Sequence, residues 1–199
     1  IVTAMTLISR ILGLLREVLV ANLLGAGLAA DVYLMVQKIP NLLRRLFAEG
    51  AFSQAFVPVF AEYQTKQNRE AVLQLLNKVS GTLGVIVLLI TLLAMLGSPL
   101  VMSVYTPEWR DEPEKFALAS ELLKVTFPYL FFITLTALAG SVLNSVGRFA
   151  VPAVTPTILS ICQIAGALVA TGELTDQARV LAWAIFVAGL LQLLVQLPF

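Results

Sequence analysis

Eight ionisable side chains lie within the first fifty residues of this 199-residue chain, embedded in two otherwise apolar stretches: Arg10, Arg16, Glu17, Asp31, Lys38, Arg44, Arg45 and Glu49. Five are cationic and three anionic. A network built only for structural ion pairing tends to balance, so a surplus of two positive charges, mostly arginine, suits the reception of an anion. Arginine is the side chain for a phosphate-type group, because its planar guanidinium donates two parallel hydrogen bonds and stays charged at any relevant pH. The carboxylates then neutralise an empty site and can exchange arginine partners when the protein changes shape.

The rest of the chain says where such a site must lie. The composition is 59% hydrophobic and 13% charged, with a mean hydropathy of +0.91. That places the chain in the all-α class, as a polytopic membrane protein. A charge at the bilayer centre costs about 2.5–3.5 kcal/mol on insertion scales. The stretches Val79–Pro107 and Val125–Gly147 carry none. The eight early charges are therefore expected to face a water-filled, net positive cavity. The net charge of only +1 implies no nucleic-acid partner. With no histidine and one cysteine, Cys162, the sequence excludes an internal disulfide, a Cys/His zinc site and a histidine-based triad. Cys162 lies in an apolar run and reads as a small buried hydrophobe. Arg10, Arg16 and Glu17 interrupt the first apolar stretch, which does not read as a signal peptide. A chain that begins at Ile1 and stops at Phe199, at the end of an apolar run, reads as a fragment of a longer protein.

Hydropathy predicts six spans, at about Thr3–Leu24, Ala30–Phe60, Val79–Val104, Phe116–Val146, Pro152–Thr171 and Val180–Phe199, with an amphipathic surface helix at about Asn68–Lys78. Pro40 and Pro58 fall inside the second span, and Pro128 predicts a kink in the fourth. Lys66, Arg69, Lys78 and Arg148 gather in loops on one side, whereas acidic residues dilute Arg110, Lys115 and Arg179 on the other. The bias puts both ends of the chain in the cytoplasm, with Trp109 and Trp183 near the outer interface.

At 100° per residue, Thr6, Ser9, Arg10, Gly13, Arg16 and Glu17 share an arc of about 120°, with Ile11, Leu12, Leu15, Val18 and Leu19 outside it. Asp31, Lys38, Asn41, Arg45 and Glu49 share about 80° of the second span, with Arg44 on the flank. Plainer readings compete. Arg10 can snorkel to the interface, Arg44 and Arg45 can be positive-inside anchors, and Asp31 can be a helix cap after Gly25–Ala30. Arg16 with Glu17, in mid-span, is the hardest to explain without a site. The glycines Gly81, Gly84, Gly140 and Gly147 read as points of close helix packing.

The run GAGLAADVYLMVQKIPNLLRRLFAEGAFSQAFVPVFAEY, Gly25–Tyr63, closely resembles the MurJ (MviN) family of bacterial lipid II flippases. SRILGLLRE, Ser9–Glu17, resembles that family's first helix, and Phe116–Pro156 resembles its fourth helix and the start of the fifth. The resemblance implies one six-helix lobe of a two-lobe exporter of the multidrug/oligosaccharidyl-lipid/polysaccharide superfamily, the second lobe being absent. The implied function is moving lipid II, an anionic polyprenyl-pyrophosphate glycolipid, from the inner to the outer leaflet of the bacterial inner membrane by alternating access. Its implied partners are lipid II, membrane lipids and the C-terminal lobe, with no nucleic acid. By the resemblance, Arg10, Arg16, Arg44 and Arg45 fall on cavity arginines, with Arg16 meeting the pyrophosphate. Glu17 stands where relatives carry an aspartate, Asp31 lies toward the outer mouth, Asn41 is a polar contact and Glu49 resembles a gate residue. The resemblance implies no catalytic residue, metal or cofactor in this lobe, and assigns sodium or membrane-potential coupling to helices outside it. The rival readings are another exporter of the superfamily, whether an oligosaccharide-lipid flippase or a multidrug antiporter, a membrane enzyme, and a non-transporting scaffold. An arginine surplus repels a cationic drug. An enzyme would need a paired acidic metal motif or a nucleophile with its base, and the only acidic cluster, Asp111–Glu114, has no histidine near it.

Overall fold

The charge-free apolar runs fold into helices in the structure, a computed structural model that describes residues 2–45 and 51–198, with backbone only at 2–4, 6, 43–44 and 51–54. In chain order these are α1 (Val2–Leu24), α2 (Leu28–Arg44), α3 (Ala51–Lys66), α4 (Arg69–Leu96), α5 (Ser98–Tyr105), a 3-10 turn at Pro107–Asp111, α6 (Pro113–Thr126), α7 (Pro128–Ser145), α8 (Ala150–Val169) and α9 (Leu174–Gln196). Among the described residues, every regular element is helical.

Four helical stretches are long and apolar enough to cross a bilayer: Arg69–Leu96, Pro113–Ser145, Ala150–Val169 and Leu174–Gln196. Helix α1, at 23 residues, is about 35 Å long and has the reach, but Arg10, Arg16 and Glu17 lower its hydropathy. The second predicted span is described as two helices, α2 and α3, of 17 and 16 residues. The expected surface helix at 68–78 has no break after it and forms the first turns of α4. At 28 residues and about 42 Å, α4 outruns a 30 Å hydrocarbon core, so its polar first turns extend beyond the apolar layer. Asn68 starts it by accepting a 2.9 Å bond from the Ala71 amide. The third predicted span ends early, at Gly97, where α5 begins. Pro128 gives the fourth span its irregularity: α6 and α7 abut through Phe127, which keeps helical dihedrals while the proline removes one helical donor.

The α1–α2 turn depends on glycine. Gly27 has φ +152° and ψ −170°, a region open only to a residue without Cβ. Close helix packing, however, falls on glycines other than those expected. A Cβ on Gly189 would lie 2.8 Å from Tyr129 Cδ2, and one on Gly166 would lie 3.0 Å from the Ala184 Cβ. Gly81 meets nothing within 4 Å, Gly84 and Gly140 meet only ordinary contacts, and Gly147 serves a turn with φ +79°. Periodicity marks a small residue but not its neighbour, which tertiary packing supplies.

Helix α1 packs on α8, α8 on α9, and α9 on α7, while α2 packs on α6. The main core joins Leu24, Val32, Tyr33 and Val36 to Met102, Leu122, Leu123, Leu130, Leu181 and Ala182. These residues cluster toward the end marked by the 25–27, 106–112 and 170–173 connections. Trp109 is buried there, with Lys115 Nζ 4.6 Å above its ring. Asp31 and Glu121 tie the same end together: Asp31 meets Lys115 at 3.6 Å, and Glu121 holds Arg179 by two bonds of 2.9 and 3.0 Å. Outside the core, α4 exposes Val85, Ile86, Leu89, Leu92, Leu93 and Leu96, the face a lipid-contacting helix requires. The other half of the helices, toward the α1 N-terminus and the α2 C-terminus, surrounds a cavity.

Candidate substrate cavity

The cavity has a volume of about 680 Å³, within the range of small-molecule sites. Helix α1 contributes Ser9, Gly13, Arg16 and Glu17, and α2 contributes Gln37, Pro40 and Asn41, followed by Arg45. Facing them are Thr136, Ser141 and Asn144 of α7, Thr155, Ser160 and Gln163 of α8, and Gln192 and Gln196 of α9. One side is thus ionic and the other neutral. Among the described residues, the buried polar side chains are all uncharged, as desolvation requires of groups without a counter-charge. The charges sit where water reaches them. Arg16 is 23% exposed and Glu17 69% exposed.

Arg16 Nη2 donates to Glu17 Oε1 at 3.1 Å. Adjacent residues on a helix point about 100° apart, so the longer glutamate must bend back to reach its neighbour. This pairing draws on no other helix, and among the described residues it leaves the remaining guanidinium donors of Arg16 available to a ligand. Two arginines against one glutamate leave the described lining with one positive charge.

Of the residues singled out by the sequence, Arg16, Glu17, Asn41 and Arg45 line this one cavity. Arg10 does not: it lies at the edge of the α1 arc and is exposed. Asp31 does not either. It is neither in the cavity nor the cap of α2, whose N-cap is Gly27; it sits in the first turn and turns toward Lys115 of α6. Its position there also suits the positive end of the helix dipole. Lys38 is exposed, off the cavity. The packing of α2 on α6 buries Val32, Val36 and Ile39, which rotates the cavity-facing arc of α2 toward Tyr33, Gln37 and Asn41. The side chain of Arg44 and the whole of Glu49 lie outside the described residues.

The neutral wall was not anticipated. Gln163, Gln192 and Gln196 are buried in helices apolar enough to span a membrane. A usable signal was present, since glutamine is costly at membrane depth and the 192/196 spacing puts both on one helix face. A second cavity of about 400 Å³ lies between the C-terminal part of α1 and the start of α2, and shares Arg16, Glu17, Gln37 and Gln163 with the first. The partition between them is held by a buried bond, Gln163 Nε2 donating to the Tyr33 hydroxyl at 2.8 Å, which joins α8 to α2.

Membrane-length helices, a lipid-suited exterior and an internal cavity with one ionic wall define a multi-pass α-helical membrane protein. A family model described as "Lipid II flippase MurJ" matches residues 20–199, and the chain belongs to that family. It is 52% identical over 98% of its length to a probable lipid II flippase MurJ of Haemophilus influenzae. It is 50% identical over its whole length to one from Vibrio cholerae. A solved lipid II flippase MurJ in an inward closed conformation superposes with a TM-score of 0.77 at 30% identity, over 99% of this chain and 40% of that one. The chain spans about 40% of the length of these relatives.

Proposed function

We propose that this chain is the N-terminal lobe of a lipid II flippase, and that its cavity receives the pyrophosphate of the polyprenyl-linked head group. The observation that carries the reading is the convergence of Arg16 and Arg45, from different helical segments, on one cavity with a net positive charge. Two guanidinium groups suit a pyrophosphate, which offers paired oxygens and carries more than one negative charge. The polyprenyl tail stays in lipid. No bond of the substrate is made or broken: the lobe captures the anion and rocks against a second lobe, which supplies the opposing wall and the sodium or membrane-potential coupling. Both ends of this chain face the cytoplasm of a bacterial inner membrane, so the cavity half of the lobe is the half that first meets lipid II.

The test uses the full-length parent in cells depleted of their own flippase, with lipid II measured by an outer-face probe. A charge-assisted hydrogen bond contributes about 1.5–3 kcal/mol, or about 10- to 150-fold in affinity. Arg16→Ala at normal membrane level should therefore lower outer-leaflet lipid II at least about tenfold. Arg16→Lys should retain part of it, because the charge stays while the two-pronged geometry goes. Undiminished flipping by Arg16→Ala would place the pyrophosphate elsewhere and reduce Arg16 to a structural partner of Glu17.

A further inference from the structure

Lys124 of α6 is a cation exposed on the outside of the lobe, about 16 Å along the apolar stretch Pro113–Ser145. It makes no ion pair or hydrogen bond among the described residues. It points away from the cavity. Phe127 keeps α6 and α7 in helical register, and Lys124 lies about 140–180° round that helix from the lining residues Thr126, Tyr129 and Ile133. Trp183 of α9 turns away likewise, about 140–180° from Ile185, Gln192 and Gln196 of the lining, and is 55% exposed. Side chains join these two outward faces. Glu121, one turn before Lys124, holds Arg179 by both carboxylate oxygens, and Arg179 also donates to Asp176 at 2.7 Å. One turn after Arg179, Trp183 meets Phe186 edge to face at 5.6 Å between ring centroids, and Phe186 meets Phe132 of α7 at 5.7 Å. The charges therefore lie toward the end marked by the 106–112 and 170–173 connections, with an aromatic ledge on their membrane side. A helical Cβ points toward the helix N-terminus, so the Lys124 stem carries its ammonium back to the level of Glu121.

Two cations and two carboxylates make this layer neutral, and its uncommitted groups are of opposite sign. Arg179 engages both oxygens of Glu121 but only Oδ1 of Asp176, so Asp176 Oδ2 and the Lys124 ammonium are left over among the described residues. We propose that this outward α6–α9 face is a phospholipid site, and that its occupant is the zwitterionic phosphatidylethanolamine. Lys124 meets the phosphate, the Asp176 carboxylate meets the ammonium, and an acyl chain lies along Trp183, Phe186 and Phe132. The level is right, because an exposed tryptophan beside charged side chains marks the membrane–water interface. Charge-assisted hydrogen bonds favour an ammonium that carries N–H groups over choline, whose methylated nitrogen has none to donate. An anionic head group fits less well: it would satisfy Lys124 and set a second negative charge against Asp176. The face points away from the cavity, so the inference stands apart from what the cavity receives.

The experiment reads lipid at Trp183 in the full-length parent, reconstituted in phosphatidylcholine vesicles with added brominated lipid, which quenches tryptophan fluorescence on contact. The Trp183 signal is the difference between the parent and its Trp183→Phe variant. Brominated phosphatidylethanolamine should bind there about 2- to 5-fold more tightly than phosphatidylcholine or phosphatidylglycerol with the same chains, the size expected of exposed ion pairs. Lys124→Gln should weaken all three lipids by a similar factor, and Lys124→Arg should keep their affinities. Asp176→Asn, which retains an oxygen for Arg179, should make phosphatidylethanolamine and phosphatidylcholine equal. Arg69→Gln, at the opposite end of the lobe, should change nothing at Trp183. No quenching of Trp183 by any brominated lipid overturns the proposal, because protein then covers this face. Equal affinity of the parent for phosphatidylethanolamine and phosphatidylcholine overturns it too. So does a preference that survives Asp176→Asn, or binding untouched by Lys124→Gln. Tighter binding of phosphatidylglycerol than of phosphatidylethanolamine overturns it in favour of an anionic-lipid site.

Discussion

The bond between Gln163 and Tyr33 joins residues 130 positions apart and holds the α8 wall of the cavity against α2, at 2.8 Å with both side chains buried. Tyr33→Phe deletes the hydroxyl and leaves the Gln163 amide without that acceptor. In water-soluble cores such a bond contributes about 0.5–1.5 kcal/mol net, and an orphaned partner costs about 1–3 kcal/mol. Between membrane helices the average is nearer 0.6 kcal/mol, with a maximum of about 1.7. Gln163 borders both cavities, so water entering from either can recover part of the loss. These limits set the cost of Tyr33→Phe at about 1 kcal/mol. Gln163→Leu should cost less, because Gln37 also lies within hydrogen-bonding reach of the Tyr33 hydroxyl and can keep it paired. The double variant should cost less than the two added together, with a coupling of about 0.5–1.5 kcal/mol. The assay is unfolding of the full-length parent in mild-detergent micelles by graded addition of a denaturing detergent, for the four members of the cycle. Additivity within about 0.3 kcal/mol would refute the reasoning, because it would mean that the bond does not tie the two helices together.

Three further stability predictions follow from the glycines. Gly189→Ala should lower the melting temperature, because its methyl would press on Tyr129 and Phe132 at 2.8 and 3.3 Å in a packed helix contact; overpacking of this kind costs about 1–3 kcal/mol, against a helix-propensity gain of about 1 kcal/mol. Gly81→Ala, with open space around it, should instead raise the melting temperature, since only the propensity gain acts there. Gly27→Ala should destabilise the α1–α2 turn by about 1–3 kcal/mol although its Cβ would meet nothing within 4 Å, which a matched thermal melt would show.

Several features of this protein were legible in the residues alone, because they depend on solvent rather than on partners. Long runs without charge must be helical in lipid, where no water satisfies the backbone, and α4, α6–α7, α8 and α9 occupy those runs. Charges that interrupt such runs must find water, and Arg16, Glu17 and Arg45 do so in one cavity. What periodicity could not supply was the rotation of each helix about its own axis. On α2, Asp31, Lys38, Asn41 and Arg45 share an arc, but contact with α6 turns the Asp31 side toward Lys115 and leaves Asn41 and Arg45 on the cavity. Polarity places a residue on a face, and only the neighbouring helix decides what that face meets. The neutral wall shows the same limit. Gln192 and Gln196 are visible as a one-turn pair in an apolar helix, but their meaning comes from Thr155, 37 and 41 residues earlier in the chain. It takes α8 packed against α9 to give each of the two amides a partner on Thr155.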